Sequence, residues 1–155
     1  MIQYVKGDAT NPITSGKKIV VHVCNDMGGW GKGFVVAISN KWKEPENQYR
    51  EWFKNADGFQ LGAVQFVQVA ADLWVANLIG QHKIYKDERG NPPIRYEAIA
   101  EGLSKVAEKA VNLNASVHMP RIGCGLAGGK WEEIELLINK TLTHSGIETT
   151  VYDFE

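Results

Sequence analysis

At 155 residues the chain is long enough for one domain with a proper core and too short for two comfortable ones. Apolar residues make up 44% and charged residues 23%, and the formal net charge is −1, so no global field draws the chain to nucleic acid or to an anionic membrane. Two cysteines, Cys24 and Cys124, are too few for a disulfide framework, and no His, Cys or carboxylate spacing matches a metal site, so neither metal nor cofactor is expected. Both thiols read as small, reduced, buried side chains. The first residues have no signal-peptide layout and no apolar run is long enough to span a bilayer. A cytoplasmic protein without a membrane partner is the expectation.

Taken in order, Ile2-Gln3-Tyr4-Val5 alternates and predicts a short strand. Gly7 to Pro12 is a turn in which Asp8 or Thr10 can cap the next element. Ile19 to Cys24 is apolar except for His22, which suits a strand buried on both faces, as in a parallel sheet. The stretch Asn25-Asp26-Met27-Gly28-Gly29-Trp30-Gly31-Lys32-Gly33 then forms a glycine-rich turn. Phe34, Ala37, Ile38 and Trp42 come next at helical spacing, and a second helix starts near Glu44-Pro45 and runs through Tyr49, Trp52 and Phe53.

Ala63 to Val69 and Leu73 to Ile79 read as strands, and Ala71-Asp72 between them predicts a hairpin. Gly80-Gln81-His82 ends the second strand, and Lys86 to Pro93 is a loop. From Ile94 onward, Tyr96, Ile99, Leu103, Val106 and Ala110 give an amphipathic helix. Ser116 to Pro120 is a strand, Arg121 to Gly129 a second glycine-rich turn, and Trp131, Ile134, Leu137, Ile138 and Leu142 mark a last helix that Gly146 stops. Glu148 to Phe154 is the closing strand. This alternation predicts one α/β domain over residues 1–155, a three-layer α/β/α sandwich around a mixed, mostly parallel sheet.

A strand that breaks into glycines and then starts a helix is an arrangement for binding phosphate. Glycine lets the backbone approach the ligand, and the first helical N–H groups point at an anion. In an open α/β sheet ligands bind beyond the carboxyl ends of the strands, where both glycine-rich turns are expected. Two such turns suit a diphosphate.

Gly7-Asp8-Ala9-Thr10, His22-Val23-Cys24-Asn25 with its glycine-rich continuation, and Met119-Pro120-Arg121-Ile122-Gly123-Cys124-Gly125-Leu126 together resemble the macro domain family over essentially the whole chain. The last motif is the most specific. The resemblance is to the branch that holds the terminal ADP-ribose glycohydrolases and the yeast-type ADP-ribose 1″-phosphate phosphatase, and Asn25-Asp26 to Trp30-Gly31 resembles the latter. It implies ADP-ribose or a derivative as ligand, with ADP-ribosylated protein as a further partner and nucleic acid not expected. Asp8 would accept a hydrogen bond from the adenine amino group, beside Ala9. Asn25 would read the distal ribose hydroxyls, or else is a turn residue whose amide its own turn satisfies. Gly31, Lys32 and Gly33 would hold one phosphate through their backbone. The turn from Arg121 and Ile122 through Gly123, Cys124, Gly125, Leu126 and Ala127 would wrap the other phosphate and the distal ribose. Trp30 would shield or stack on the site, or else lie in the core.

The lysine-dependent branch places a catalytic Lys where this chain has Gly80-Gln81-His82, and an Asp where it has Ala127. Another branch uses an Asp early in the helix after the first glycine-rich turn, where this chain has Phe34-Val35-Val36. Asn25, Asp26 and His82 remain as the candidate catalytic residues. Asp26 holds a water or caps a turn. His82 acts as acid or base, as histidines titrating near neutrality do, or is a solvated loop residue. His22 is expected to be buried and structural, and His118 and His144 structural or exposed. The implied reaction is hydrolysis of an ADP-ribose derivative, first ADP-ribose 1″-phosphate. The alternatives are a non-catalytic ADP-ribose reader and a hydrolase that removes ADP-ribose from modified macromolecules.

Overall fold

A computed structural model describes residues 1–154 of the chain. Its single sheet has six strands, β1 (Ile2–Lys6), β2 (Lys18–Asn25), β3 (Val64–Ala70), β4 (Leu73–Gln81), β5 (Ser116–Met119) and β6 (Thr149–Asp153), in the spatial order β1-β6-β5-β2-β4-β3. Neighbours pair in parallel except β3, which runs antiparallel to β4 as the Ala71-Asp72 hairpin predicts. The sheet is mixed and mostly parallel, with β2 between β5 and β4 at its centre.

Side chains alternate across a strand, and the two inner strands use both faces. Ile19, Val21, Ala76 and Leu78 pack with Ile99, Leu103, Val106 and Ala110 of α3 (Tyr96–Leu113) and with Ile134 and Ile138 of α4 (Trp131–Thr141). Cys24 and Val75 face the other way, into a smaller core with Trp30, Val35 and Ile38 of α1 (Phe34–Lys41) and Tyr49 of α2 (Glu44–Asn55). Each fully buried aliphatic side chain contributes about 1.5–3 kcal/mol, so the two apolar layers hold the sheet between them. The continuous apolar run of β2 is the sequence mark of a strand covered on both sides.

Gly102, inside α3, has a packing reason. A Cβ there would lie 2.4 Å from Leu78 Cγ, in a fully buried side chain. Alanine would gain about 1 kcal/mol of helix propensity and lose about 1–3 kcal/mol to overpacking, so glycine is the more stable choice. One local expectation fails. No helix comes directly after the turn that ends β1, so neither Asp8 nor Thr10 caps one. Instead Asp8 Oδ1 accepts from Thr10 N (2.9 Å) and Thr10 Oγ1 (2.7 Å), closing the turn on itself.

Two histidines are built into the core. His22 is 2% exposed, with Nε2 2.5 Å from Asn77 Oδ1. His118 is fully buried, with Nε2 2.8 Å from Ser116 Oγ and Nδ1 2.7 Å from Tyr152 Oη. Burial pushes the imidazole of each down to about 4, and Lys18 adds to the effect at His118. His22 is thus structural, as expected. Cys24 is buried too, whereas Cys124 is only half-buried, because it sits in the turn and not in the strand before it. No helix among the described residues is long and apolar enough to cross a membrane.

Candidate functional site

The five parallel strands end at one edge of the sheet, and the loops after β1, β2, β4 and β5 gather there. At the β1/β6 end lies a cavity of about 220 Å³ lined by Gly7, Asp8, Ala9, Phe34, Ala37, Pro120, Tyr152 and Phe154. Its wall is apolar and aromatic, and Asp8 is its one charged residue. Such a cavity takes a flat heterocycle and offers it a single carboxylate acceptor. Tyr152 Oη accepts from Ile13 N (3.1 Å), which ties the loop after β1 to the same wall.

The two glycine-rich loops come after the neighbouring strands β2 and β5, so they lie side by side. A Cβ on Gly33 would stand 3.6 Å from Leu126 Cδ1 of the other loop. Gly33 (φ 83°) leads into α1, whose amino end has neither a side-chain cap nor an acidic residue in its first turn. That end presents backbone N–H groups to an anion. The second loop closes on itself through Gly129 N to Gly123 O, 2.7 Å. A Cβ on Gly129 would lie 2.5 Å from that carbonyl oxygen and 2.4 Å from Ile94 Cδ1, whereas one on Gly125 meets nothing within 4 Å. Gly129→Ala is therefore expected to cost about 1–3 kcal/mol, which lowers Tm by roughly 2–4 °C per kcal/mol. Gly125→Ala should leave Tm within about 1 °C of the parent. Calorimetry on the pair checks this, and equal Tm values would contradict a loop held shut at Gly129.

Three of the predicted ligand residues point elsewhere, and a fourth, Asn25, is largely occupied. Trp30 is 6% exposed, donates from Nε1 to Ser39 Oγ (2.7 Å) and packs edge-on to His22, so it belongs to the core and does not stack on a ligand. Arg121 turns out of the site. Its Nε and Nη2 donate to the two oxygens of Asp153 (2.6 and 3.1 Å), and its guanidinium lies over the rings of Tyr4 and Trp131. Ile122 is 2% exposed and anchors the loop in the larger core. Asn25 spends most of its amide on its own turn. Oδ1 accepts from Met27 N and Gly29 N, Nδ2 donates to Gly29 O, and Tyr49 Oη lies 3.1 Å from Oδ1. One N–H is left for a ligand, which narrows Asn25 from a reader of sugar diols to a donor.

Lys32, Gly125 and Leu126 are exposed on the loops, Leu126 at 66%, while Ala127 is buried and its carbonyl accepts from Ile94 N. Across β2 from the cavity, the loops after β2 and β4 bring Asp26 and His82 together. His82 Nδ1 lies 2.7 Å from Asp26 Oδ2, and Lys83 N donates to Asp26 Oδ1 (2.7 Å). The Asp26 side chain is mostly covered and the His82 ring is 43% exposed. With Nδ1–H committed to the carboxylate, the neutral ring keeps its acceptor at Nε2, which has no hydrogen-bond partner among the described residues. From β6 to β4 is three strand spacings, roughly 14 Å. The cavity, the paired loops and the Asp26–His82 pair thus lie in a row along one edge of the sheet. Among the described residues no group of three or more His, Cys, Asp or Glu side chains could hold a metal ion.

No family model matches the chain. The structure of a macrodomain protein from Streptomyces coelicolor superposes with a TM-score of 0.88 at 55% sequence identity, covering 99% of either chain. The chain belongs to the macrodomain family. A chromodomain-helicase-DNA-binding protein 1-like of Danio rerio is 34% identical to this macrodomain over 160 residues, 97% of this chain and 15% of the relative's own length. An ADP-ribose 1″-phosphate phosphatase of Candida albicans is 27% identical over 146 residues, 87% of this chain and 90% of the relative.

Phe34, Pro120, Tyr152 and Phe154 line the cavity of this macrodomain, and the sequence alone did not single them out as ligand contacts. The sequence predicts Phe154 as the end of the closing strand, which stops at Asp153, and the ring just beyond it is 83% exposed with no core to fill.

Proposed function

We propose that this macrodomain binds ADP-ribose and hydrolyses an ADP-ribose derivative at the distal ribose, with ADP-ribose 1″-phosphate as the substrate and ADP-ribose and phosphate as products. The observation that carries the catalytic half is the Asp26–His82 pair, on the same sheet edge as the cavity and across β2 from it. In this reading the adenine enters the cavity and its amino group donates to Asp8. The backbone of the two loops holds the diphosphate, with Gly31, Lys32 and Gly33 on one side and Gly123 to Ala127 on the other. Asp26 fixes the His82 tautomer. His82 Nε2 takes a proton from the water that attacks phosphorus, and solvent water gives one to the departing 1″-oxygen on the opposite side of the in-line displacement. The backbone donors steady the charge that develops. The name and the extent of the Candida albicans relative support the same substrate.

A second reading is the removal of ADP-ribose from modified macromolecules. It is favoured by exposed apolar side chains around the distal end, Ile84 at 44%, Tyr85 at 72% and Leu126 at 66%, which a small phosphate ester does not touch. Calorimetric titration with ADP-ribose, together with phosphate release from ADP-ribose 1″-phosphate and ADP-ribose release from modified protein, separates the readings. Phosphate release is the expected result. Binding without turnover of either substrate would make the protein a reader, and absence of binding would end both readings.

A further inference from the structure

We propose that Glu46 is a positioning residue for the first glycine-rich loop, which it holds from outside through Ser39 and Arg50. A closed circuit of hydrogen bonds joins the loop to the two helices behind it. Trp30 Nε1 donates to Ser39 Oγ of α1 at 2.7 Å, and Ser39 Oγ donates to Glu46 Oε1 of α2 at 2.8 Å. Arg50 Nε donates to Glu46 Oε2 at 3.0 Å, and Arg50 Nη1 reaches Gly28 O at 3.3 Å. Both ends of the Gly28–Trp30 segment are therefore tied to one carboxylate.

An exposed Glu–Arg pair four residues apart on a helix usually adds only a few tenths of a kcal/mol to that helix. Here each partner makes a second bond that leaves the helix, so the pair spans two helices and a loop. The Ser39 hydroxyl, and after it Arg50, hold the Glu46 carboxyl below its ordinary range. The loop also rests on α2 through Phe53. A Cβ on Gly28 (φ 78°) would fall 2.5 Å from the Phe53 ring, and Tyr49 Oη donates to Asn25 O at 2.6 Å. Packing from below fixes where the loop lies, and the circuit fixes its twist. The twist aims the N–H groups of Gly31 to Gly33, which begin one residue after Trp30. A misplacement of about 1 Å at such donors costs up to about a hundred-fold in a site that depends on orientation.

The affinity part of the test rests on the ADP-ribose reading above. Glu46→Gln, Ser39→Ala and the double variant are compared with the parent by ADP-ribose titration and by amide NMR of the ligand-free proteins. Glu46→Gln is expected to raise Kd about ten-fold, and Ser39→Ala by a smaller factor. The double variant should be no weaker than Glu46→Gln alone, since a circuit already open loses little at a second break. Amides of Gly28, Gly29, Gly31 and Gly33 should move while those of Gly123, Gly125, Gly128 and Gly129 stay in place. Loop amides that do not move, or affinities within about two-fold of the parent in all three variants, overturn the proposal. A parent that does not bind ADP-ribose overturns the functional reading instead, and the ligand-free amides still decide the circuit.

Discussion

His82→Gln is expected to lower kcat for phosphate release from ADP-ribose 1″-phosphate by about 10²–10⁴-fold, the usual worth of a positioned general acid–base group. KM should change little, because the proposed reading has the diphosphate and the base held away from this ring. Asp26→Asn tests the same pair from the other side. An amide can donate to Nδ1, which moves the ring proton to Nε2 and removes the acceptor the reaction needs. It should lower kcat in the same direction while leaving the Lys83 N contact an acceptor to meet. Steady-state kinetics on both variants, with ADP-ribose titration as the control, decides the matter. Turnover at the parent rate in both would remove the pair from the mechanism.

The second large effect is on stability. His22 and His118 are neutral in the fold and pushed down to about 4, whereas in the unfolded chain a histidine titrates near 6.5. Between these values the unfolded state binds protons that the folded state does not, so stability falls as pH falls from 6.5 toward 4. The loss is roughly 3 kcal/mol for each histidine by pH 4, a large part of a stability of about 5–15 kcal/mol. Urea denaturation at pH 7.0 and 4.5 should show a clearly lower midpoint at the acid value. The imidazole resonances of both residues should stay close to their neutral positions down to about pH 5. A midpoint that does not change between pH 7 and 5 would mean that these rings are not held neutral by the core.

The elements were legible because their signals are local. The apolar run of β2, the spacing of α3 and the two clusters of glycine each sit in a single stretch of chain, and each describes the stretch it sits in. Side-chain direction within the loops was not legible. Trp30 turns inward because Ser39 and His22 receive it, and Arg121 turns outward because Asp153, Tyr4 and Trp131 do. Those partners lie outside the glycine-rich turns themselves, as far off as Tyr4 for Arg121, and nothing next to Arg121 in sequence tells a phosphate ligand from an ion-paired strap. For Asn25 the sequence leaves two readings open, and the amide is largely occupied by its own turn and by Tyr49, a partner 24 residues away. The cavity was hidden for a related reason. Its wall is assembled from the loop after β1, the start of α1, the end of β5 and the residues around β6, which meet only once the strand order is known.

That strand order has a consequence for how the protein comes into being. β1 lies against β6 in register, Ile2 opposite Thr149 and Lys6 opposite Asp153, and the loop just after β1 shares the cavity with Tyr152 and Phe154. On the ribosome the first strand is made early and stays without its sheet neighbour until the last strand emerges. Both glycine-rich loops can form before that moment, but the pocket proposed for the base cannot. On the proposed reading, competence to bind the base is thus withheld until the last strand has emerged, and a bound base would in turn fasten β1 and β6 to each other.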